Sequence, residues 1–498
     1  MFFKMCPAPE NPGQDPFKAL KPILKERTRD AVTTSLKAAV AAILTLSISL
    51  AAYSAIYGAI RPDFFRWPDR SDRPDPDLYM ALFNSDDSPT NVSHLAFGIG
   101  GSTATWANRA VYSDLWWKPG STRGYVFLEK DPGGPARGGI GRRVSSEWRR
   151  FRRTAGSESA VRIARVAADL FRVGLPNVRW LVMGDDDTVF FPENLAAVLG
   201  RHDHRRMVYV GGNSESVEQD VMHAYDMAFG GGGFAISYPL AAELAAAMDG
   251  CLNRYHYFYG SDQRVWACVG ELGVGLTREP GFHQIDIRGD PFGLLAAHPL
   301  APLVSLHHLD YVSPLFPNQT QLESVSVLMK AYEADPSRTL QQCFCYHHKY
   351  KWSVSVSWGY AVQIFPTLLT AKELETPQQT FKTWRSWNDG PFTFNTRPVS
   401  RDQCQRPVVF FLSSAEKEGT EETVTTYRKA AAHPVDGCNK DYARAAAIEN
   451  VVVLAPKMEQ QEWDQSPRRH CCDIDGNLGN RTMRIRIRRC KHSETITI

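Results

Sequence analysis

The sequence predicts an α/β fold with a smaller β-rich C-terminal region, preceded by an apolar anchor helix. Three observations carry this expectation. From about residue 93 to residue 250, short apolar runs alternate with stretches of helical periodicity, the pattern of a sheet with crossover helices. After about residue 345 the repeat changes to two, as in Trp352-Ser-Val-Ser-Val-Ser-Trp and Arg484-Ile-Arg-Ile-Arg. Residues 38–60 form a 23-residue run with no charge, bracketed by Lys37 and Arg61.

That run is long enough, at roughly 1.5 Å per residue, to span a hydrocarbon core of about 30 Å. Lys4, Lys18, Lys21, Lys25, Arg27, Arg29 and Lys37 precede it, which places the tail 1–37 in the cytosol and the remainder in a lumen. Residues 61–92 hold a cluster of Pro and Asp and read as an extended stem. Sequons at Asn91, Asn318 and Asn480 lie on the lumenal side. Of ten cysteines only Cys6 precedes residue 250. The spacing Cys343-x-Cys345 and the adjacent Cys471 and Cys472 do not suit a tetrahedral zinc module, so disulfides in an oxidising compartment are expected. Nine cysteines after the anchor leave one unpaired. The net charge of the 498 residues is only +3, which makes no case for nucleic acid as a partner.

The first strand is expected at His94 to Ile99, turning at Gly100-Gly101. A helix from Ser102, its N-cap, to Leu115 follows. Tyr125 to Leu128 is a second strand, and residues 131–143 a glycine-rich loop. Ser157 to Val173 is an amphipathic helix, with Val161, Ala164, Ala168 and Phe171 on one face and Arg162, Arg165 and Arg172 as polar positions. Trp180 to Met183, Val208 to Gly212 and Phe234 to Ser237 read as strands, and Tyr238 to Met248 as a helix.

Four motifs carry candidate chemistry. Asp185, Asp186 and Asp187 follow directly on an apolar strand. Three adjacent carboxylates repel one another and need either full solvation or a cation. The carboxyl end of a strand in an open α/β sheet is a ligand crevice, where a hard divalent ion with oxygen ligands fits. Gly230 to Gly233 allow close backbone approach to a ligand, or form a hinge. Asp262 precedes an apolar stretch, as a helix N-terminal charge or as a general base. His307 and His308 lie in an expected strand, where neighbours point to opposite faces, so at most one would meet a given metal.

Together and in this order, the segments RWLVMGDDDTVF, YVGGNSE, AFGGGGFAIS, YGSDQRVWACV and VSLHHLD resemble the Fringe-like glycosyltransferases of the β-1,3-glycosyltransferase superfamily. QQCFCYHHKYKWSVSVSWGYAVQIF and TFKTWRSWN extend the resemblance to a plant branch formerly described only as a domain of unknown function.

The resemblance implies a GT-A (Rossmann-like) domain at 93–340, followed by a disulfide-containing region at 341–498. It implies an inverting, metal-dependent hexosyltransferase moving sugar from a UDP-sugar to a hydroxyl of a glycan or glycoprotein, with a β-1,3-type linkage. Asp185 and Asp187 match metal ligands, with His307 as the distal ligand and His308 as the fallback. Asp262 matches the catalytic base. Gly100, Gly101, Ser102, Arg109, Asp185, Asp186 and Gly231 to Gly233 (Gly231, Gly232, Gly233) match donor-binding positions. Mn²⁺ is the expected ion, and Mg²⁺ also suits these ligands. The Gly-Gly-Ser loop after the first strand departs from the Fringe pattern, so no Fringe acceptor carries over. The expected location is the Golgi membrane, single-pass and type II. A catalytically silent lumenal protein that binds nucleotide-sugar or glycan fits the same motifs, whereas a metal-dependent hydrolase would need a positioned water nucleophile and more ligands than these motifs supply.

Overall fold

The computed structural model describes residues 37–52, 88–134, 139–151, 155–384, 395–431, 437–464, 467–475 and 481–496. It divides into two compact units, Met1–Asp69 and Arg70–Ile498. In the first, residues 37–52 are helical with exposed side chains. Among the described residues no helix is long and apolar enough to cross a membrane. The expected anchor 38–60 is described only to residue 52. Most of the tail, the stem up to residue 87, residues 135–138 of the glycine-rich loop and Asn480 lie outside the described residues.

The second unit is mixed α/β. Its first sheet has seven strands in the order β3-β2-β1-β4-β7-β6-β8. These are β1 (Leu95–Gly100), β2 (Gly124–Leu128), β3 (Gly141–Val144), β4 (Trp180–Asp185), β6 (Tyr209–Gly211), β7 (Phe234–Ser237) and β8 (Leu276–Arg278). β3, β2, β1 and β4 run parallel, β7 is antiparallel to both neighbours, and β6 pairs parallel with β8. Alternation along each strand sorts its side chains between two cores. Leu95, Phe97, Ile99, Trp180, Val182, Val210 and Ala235 face one way. Ala96, Leu181, Met183, Tyr209, Phe234 and Ile236 face the other.

Helix α1 (Thr103–Trp116) covers the first face through Trp106, Ala110 and Trp116. Helices α2 (Glu158–Ala164), α3 (Val166–Arg172), α4 (Tyr238–Arg254) and α5 (Ser261–Glu271) cover the second. Gly98 permits this close packing, since a Cβ there would stand 2.9 Å from Val166 Cγ1. A disulfide, Cys251–Cys268, joins α4 to α5.

The single helix expected at Ser157 to Val173 is two, meeting at Arg165. Arg162 and Arg165 are buried rather than solvated, at 2% and 4% exposure. Arg162 donates to Phe127 O at 2.9 Å and to Gly101 O, so its charge is spent on carbonyls at the ends of β1 and β2. Arg165 is paired with Asp249 and hydrogen-bonded to Ser146. The glycine-rich loop is also corrected: its last residues belong to the edge strand β3.

The eight-stranded second sheet comprises β12 (Gln342–His347), β13 (Trp352–Ser357), β14 (Ala361–Phe365), β16 (Val408–Glu418), β17 (Glu422–Lys429), β18 (Asn450–Pro456), β19 (Cys471–Ile474) and β20 (Thr482–Arg488). Its order is β12-β13-β14-β16-β17-β18-β20-β19, and only β18–β20 is parallel. The terminal strands β12 and β19 are joined by Cys345–Cys472, with Cα atoms 5.5 Å apart, so the sheet curls into a barrel-like closure. Cys404–Cys438 and Cys471–Cys490 complete four disulfides. Among the described residues Cys343 is a free, buried thiol, and burial pushes it up to about 12. β13 is buried on both faces: Val354 and Val356 enter the first core, which runs on through Phe410, Val453 and Ile485, while the other face carries the buried Ser353, Ser355 and Ser357, with Ser353 Oγ donating to Thr367 O at 3.0 Å. Helix α6 (Gln321–Ala334) contributes Val325, Leu328 and Tyr332 to that same core. Two small sheets complete the unit. β10 (Ile287–Gly289) pairs with β15 (Phe381–Thr383), and β5 (Val189–Phe190) and β9 (Phe282–His283) flank β11 (Ser305–Leu306).

Replacing Arg162 by Met would leave two buried carbonyls without their charged donor. We expect a loss of about 2–4 kcal/mol in urea denaturation. A change under about 0.5 kcal/mol would show that these bonds do not hold the β1 and β2 ends.

Candidate metal centre

The site forms where β1 and β4 lie side by side, with Gly100 opposite Asp185. The chain leaves β1 toward β2 on one side and returns as β4 on the other, which opens a crevice at the carboxyl ends of both strands. Gly100 and Gly101 leave room there. A Cβ on Gly100 would sit 3.5 Å from Asp185 Oδ1, and one on Gly101 3.1 Å from Asp186 Oδ2. Ser102 caps α1 by accepting from Thr105 N at 3.1 Å, and the Thr105 hydroxyl bonds Asp186. One turn on, Arg109 Nη1 stands 3.1 Å from Asp186 Oδ1 and 3.1 Å from Asp187 Oδ2. Its Nε lies 3.5 Å from Asp310, which also accepts from the Tyr112 hydroxyl.

His307 arrives by strand pairing. β5 follows the acid turn directly and pairs antiparallel with β11, Val189 opposite Leu306, so the residue after β11 lands beside the acids. His307 Nε2 is 3.1 Å from Asp187 Oδ1 and 3.9 Å from Asp185 Oδ2. One ligand atom from each of Asp185, Asp187 and His307 lies within 4.8 Å of the others. Two carboxylate oxygens and one imidazole nitrogen suit Mn²⁺ or Mg²⁺. Among the described residues His307 Nδ1 is buried with no hydrogen-bond partner.

Thr188 locks the turn to the glycine run. Its Oγ1 accepts from Asp185 N at 2.8 Å and donates to Gly231 O at 2.7 Å. Gly231 faces the imidazole so closely that a Cβ would fall 2.0 Å from His307 Cε1. Gly232 and Gly233 act behind the site. Gly232 N donates to the Gln284 side chain and its carbonyl accepts from Ser305, while Gly233, at φ +89°, packs against Phe190.

Asp262 lies in the first turn of α5, whose N-cap is Gly260. Gln263 Oε1 accepts from Gly260 N at 3.1 Å, while Asp262 Oδ1 accepts from Gln263 N at 3.3 Å. Its Oδ2 accepts from Gly230 N at 3.2 Å. Asp185 and Asp262 border one hollow of about 20 Å³, room for a single water at the floor of the crevice.

The expectation for the two histidines needs correction. β11 ends at Leu306, and His308 takes a left-handed conformation at φ +54°. Its ring therefore lies against His307, centroids 3.8 Å apart, instead of on an opposite face. His308 Nδ1 is 2.9 Å from Asp286 Oδ1, and its ring stacks on Trp384 at 4.6 Å and 7° and meets the edge of Tyr311 at 5.3 Å. It stands outside the Asp185–Asp187–His307 group and supports that group's imidazole.

Electrostatics follow from crowding. Desolvation pushes Asp185 up to about 7 although a third of its side chain is exposed; His307 opposes this, and Asp187, Asp186 and Asp262 add to it. Asp187 is buried too, yet His307 and Arg109 hold it well below the carboxylate range. Desolvation lowers His307, and the charges and hydrogen bond of Asp187 and Asp185 more than reverse this. Burial lowers His308, with the His307 charge adding to the effect.

A family described as "Protein of unknown function, DUF604" matches residues 219–472, just over half of the chain. The chain belongs to the DUF604 family. No curated protein matches the sequence. The DUF604 match takes in the glycine run, Asp262, His307, Trp384 and the barrel strands up to β19. The acid turn, β1 and α1 lie before it. Thr105, Thr188, Asp286, Asp310 and Trp384 were not singled out by the sequence reading. Thr188, Asp310 and Trp384 lie inside the segments RWLVMGDDDTVF, VSLHHLD and TFKTWRSWN, but the segments alone gave them no role.

Gly231→Ala should destabilise the fold by about 1–3 kcal/mol because the new methyl meets the His307 ring. Gly230→Ala should be nearly neutral, its Cβ standing 3.6 Å from Asp262 Cβ. Equal denaturation midpoints for the two variants would contradict this packing.

Proposed function

We propose that this DUF604 protein is an inverting, metal-dependent glycosyltransferase of Fringe-like, GT-A type. Its donor is a UDP-sugar and its acceptor a hydroxyl of a glycan or glycoprotein, with a β-1,3-type linkage formed. The observation that carries the reading is the meeting of Asp185, Asp187 and His307 at the β1/β4 crevice, with Asp262 sharing a small hollow with Asp185. The catalytically silent and hydrolase readings share these residues and have no observation of their own.

Asp185, Asp187 and His307 would hold Mn²⁺, with Mg²⁺ as the other suitable ion. The bound ion supplies neutralisation of charge developing on the leaving diphosphate. Arg109 adds a fixed positive charge beside the acids, oriented by Asp186 and Asp310. Gly100, Gly101 and Ser102 let the donor approach the backbone. Asp262 takes the proton of the acceptor hydroxyl. The acceptor oxygen bonds the anomeric carbon as the bond to the UDP oxygen breaks, inverting that centre in one displacement.

The same proposal places the chain in the Golgi membrane as a type II protein anchored through residues 38–60, with its catalytic part in the lumen. Four disulfides are compatible with that oxidising compartment.

In calorimetry of the full chain in detergent, Asp187→Ala is expected to abolish Mn²⁺-dependent UDP binding while a cooperative thermal transition is kept, at a lower temperature because Arg109 and His307 lose a buried partner. Unchanged UDP affinity in that variant would remove the metal assignment. Asp262→Asn is expected to keep UDP binding and lose roughly 10²–10⁴ in turnover, read as UDP release with an acceptor. Wild-type turnover would exclude Asp262 as the base.

A further inference from the structure

A second and larger cleft, of about 810 Å³, opens beside the crevice. One wall is the loop after β6, Gly212 to Glu215, with Tyr225 and Arg278. The opposite wall comes from the C-terminal part of the chain, including Lys372, Glu375 and Arg469. The volume is in the range that encloses a ligand of two or three rings.

Its lining has a particular chemistry. Arg278, Lys372 and Arg469 are balanced by Glu215, Glu279 and Glu375, so the cleft carries no net formal charge. Lys372 is paired with Glu375 at 2.6 Å, and Glu279 with Arg201 at 2.9 Å. What remains is a wall rich in both donors and acceptors, in which Arg278 is engaged by Tyr225 and Asn213 instead of a carboxylate, short of the cluster of cations a polyanion requires. An aromatic ring stands in it. Tyr225 is 58% exposed, with the Arg278 guanidinium 5.1 Å from its centroid. Arg278 also donates to the Tyr225 hydroxyl at 2.8 Å and to Asn213 Oδ1, which pins the ring in place. A fixed, exposed aromatic surface amid mixed hydrogen-bonding groups suits a sugar ring, which has an apolar face and hydroxyls that both donate and accept.

The cleft is bonded to the catalytic crevice at two points. Gly212 O accepts from Phe229 N at 3.0 Å, and the next residue, Gly230, donates to Asp262. Ser214 Oγ donates to Asp286 Oδ2 at 2.7 Å, and Asp286 Oδ1 lies 2.9 Å from Nδ1 of His308, whose ring packs on His307. We propose that this cleft binds the remote residues of an uncharged oligosaccharide acceptor while its terminal hydroxyl lies at Asp262. The inference rests on the transferase reading and deepens it, naming the acceptor class as a neutral glycan chain of three or more residues.

The test uses the full chain in detergent on a glycan array. Its probes are neutral gluco-, galacto-, manno- and xylo-oligosaccharides of one to six residues, with oligogalacturonides as acidic controls. Binding is expected to strengthen at least tenfold from one to three or more residues in a neutral ladder. Tyr225→Ala and Arg278→Ala should each remove that gain while the Mn²⁺–UDP thermal shift persists. Both residues are exposed, and Lys372→Ala probes the facing wall at a side chain that is 84% exposed. Absence of binding by every neutral ladder, a length dependence untouched by all three substitutions, or tighter binding of the acidic ladder overturns the proposal. Ladder binding that these substitutions remove, in a protein with no UDP shift, supports the cleft and removes the transferase reading alone.

Discussion

Three consecutive carboxylates on one tight turn are the constraint around which this structure is arranged. Asp186 and Asp187 are almost fully buried, at 3% and 2% exposure, and buried charge of one sign is untenable without partners. The partners come from opposite directions along the chain. Arg109 reaches in from α1, which Ser102 starts at the right place. His307 is delivered by β11, whose pairing with β5 sets its register. Each partner is then itself held: Arg109 by Asp310, and His307 by the ring of His308 behind it. Arg109 and His307 face three carboxylates, and Asp185, which desolvation raises to about 7, keeps a third of its side chain exposed at the crevice.

Those supports tie the crevice to the C-terminal part of the chain. Trp384 follows directly on β15, which pairs with β10, and β10 follows Asp286 by one residue. The stack on His308 is therefore fixed by backbone pairing at its base. The continuous core from Leu95 to Ile487 makes the same point on a larger scale. Shared packing of this extent favours a single mechanical body, in which the barrel buttresses the loops that carry the site.

Local pattern was enough to read much of this. The strand before Asp185, the Ser102 cap and the helix after Ser237 depend on neighbours within a turn or two, and the structure has them. Strand β3 was hidden because its Gly-Arg-Arg-Val sequence is charged and lies on a sheet edge, where Val144 stays 54% exposed. Arg162 was misread because helical periodicity assigns arginine to solvent, whereas carbonyls at the ends of two strands recruit it. His308 was misread because a left-handed residue ends the strand alternation on which the opposite-face argument rested. Trp384 lies in the quoted segment TFKTWRSWN, but nothing in that pattern places it, more than seventy positions on, beside His308, and the cysteine pairing could not be deduced from spacing.

The bond between Cys345 and Cys472 spans 127 positions and unites the first and last members of the barrel. During synthesis, every other rib of that wall leaves the ribosome before the final staves, β19 and β20, exist. Until then the growing domain carries two unpaired margins, open to mispairing with neighbouring chains. The oxidation that seals the seam is thus a late checkpoint in biogenesis, and maturation of the whole unit waits on the arrival of its C-terminal end.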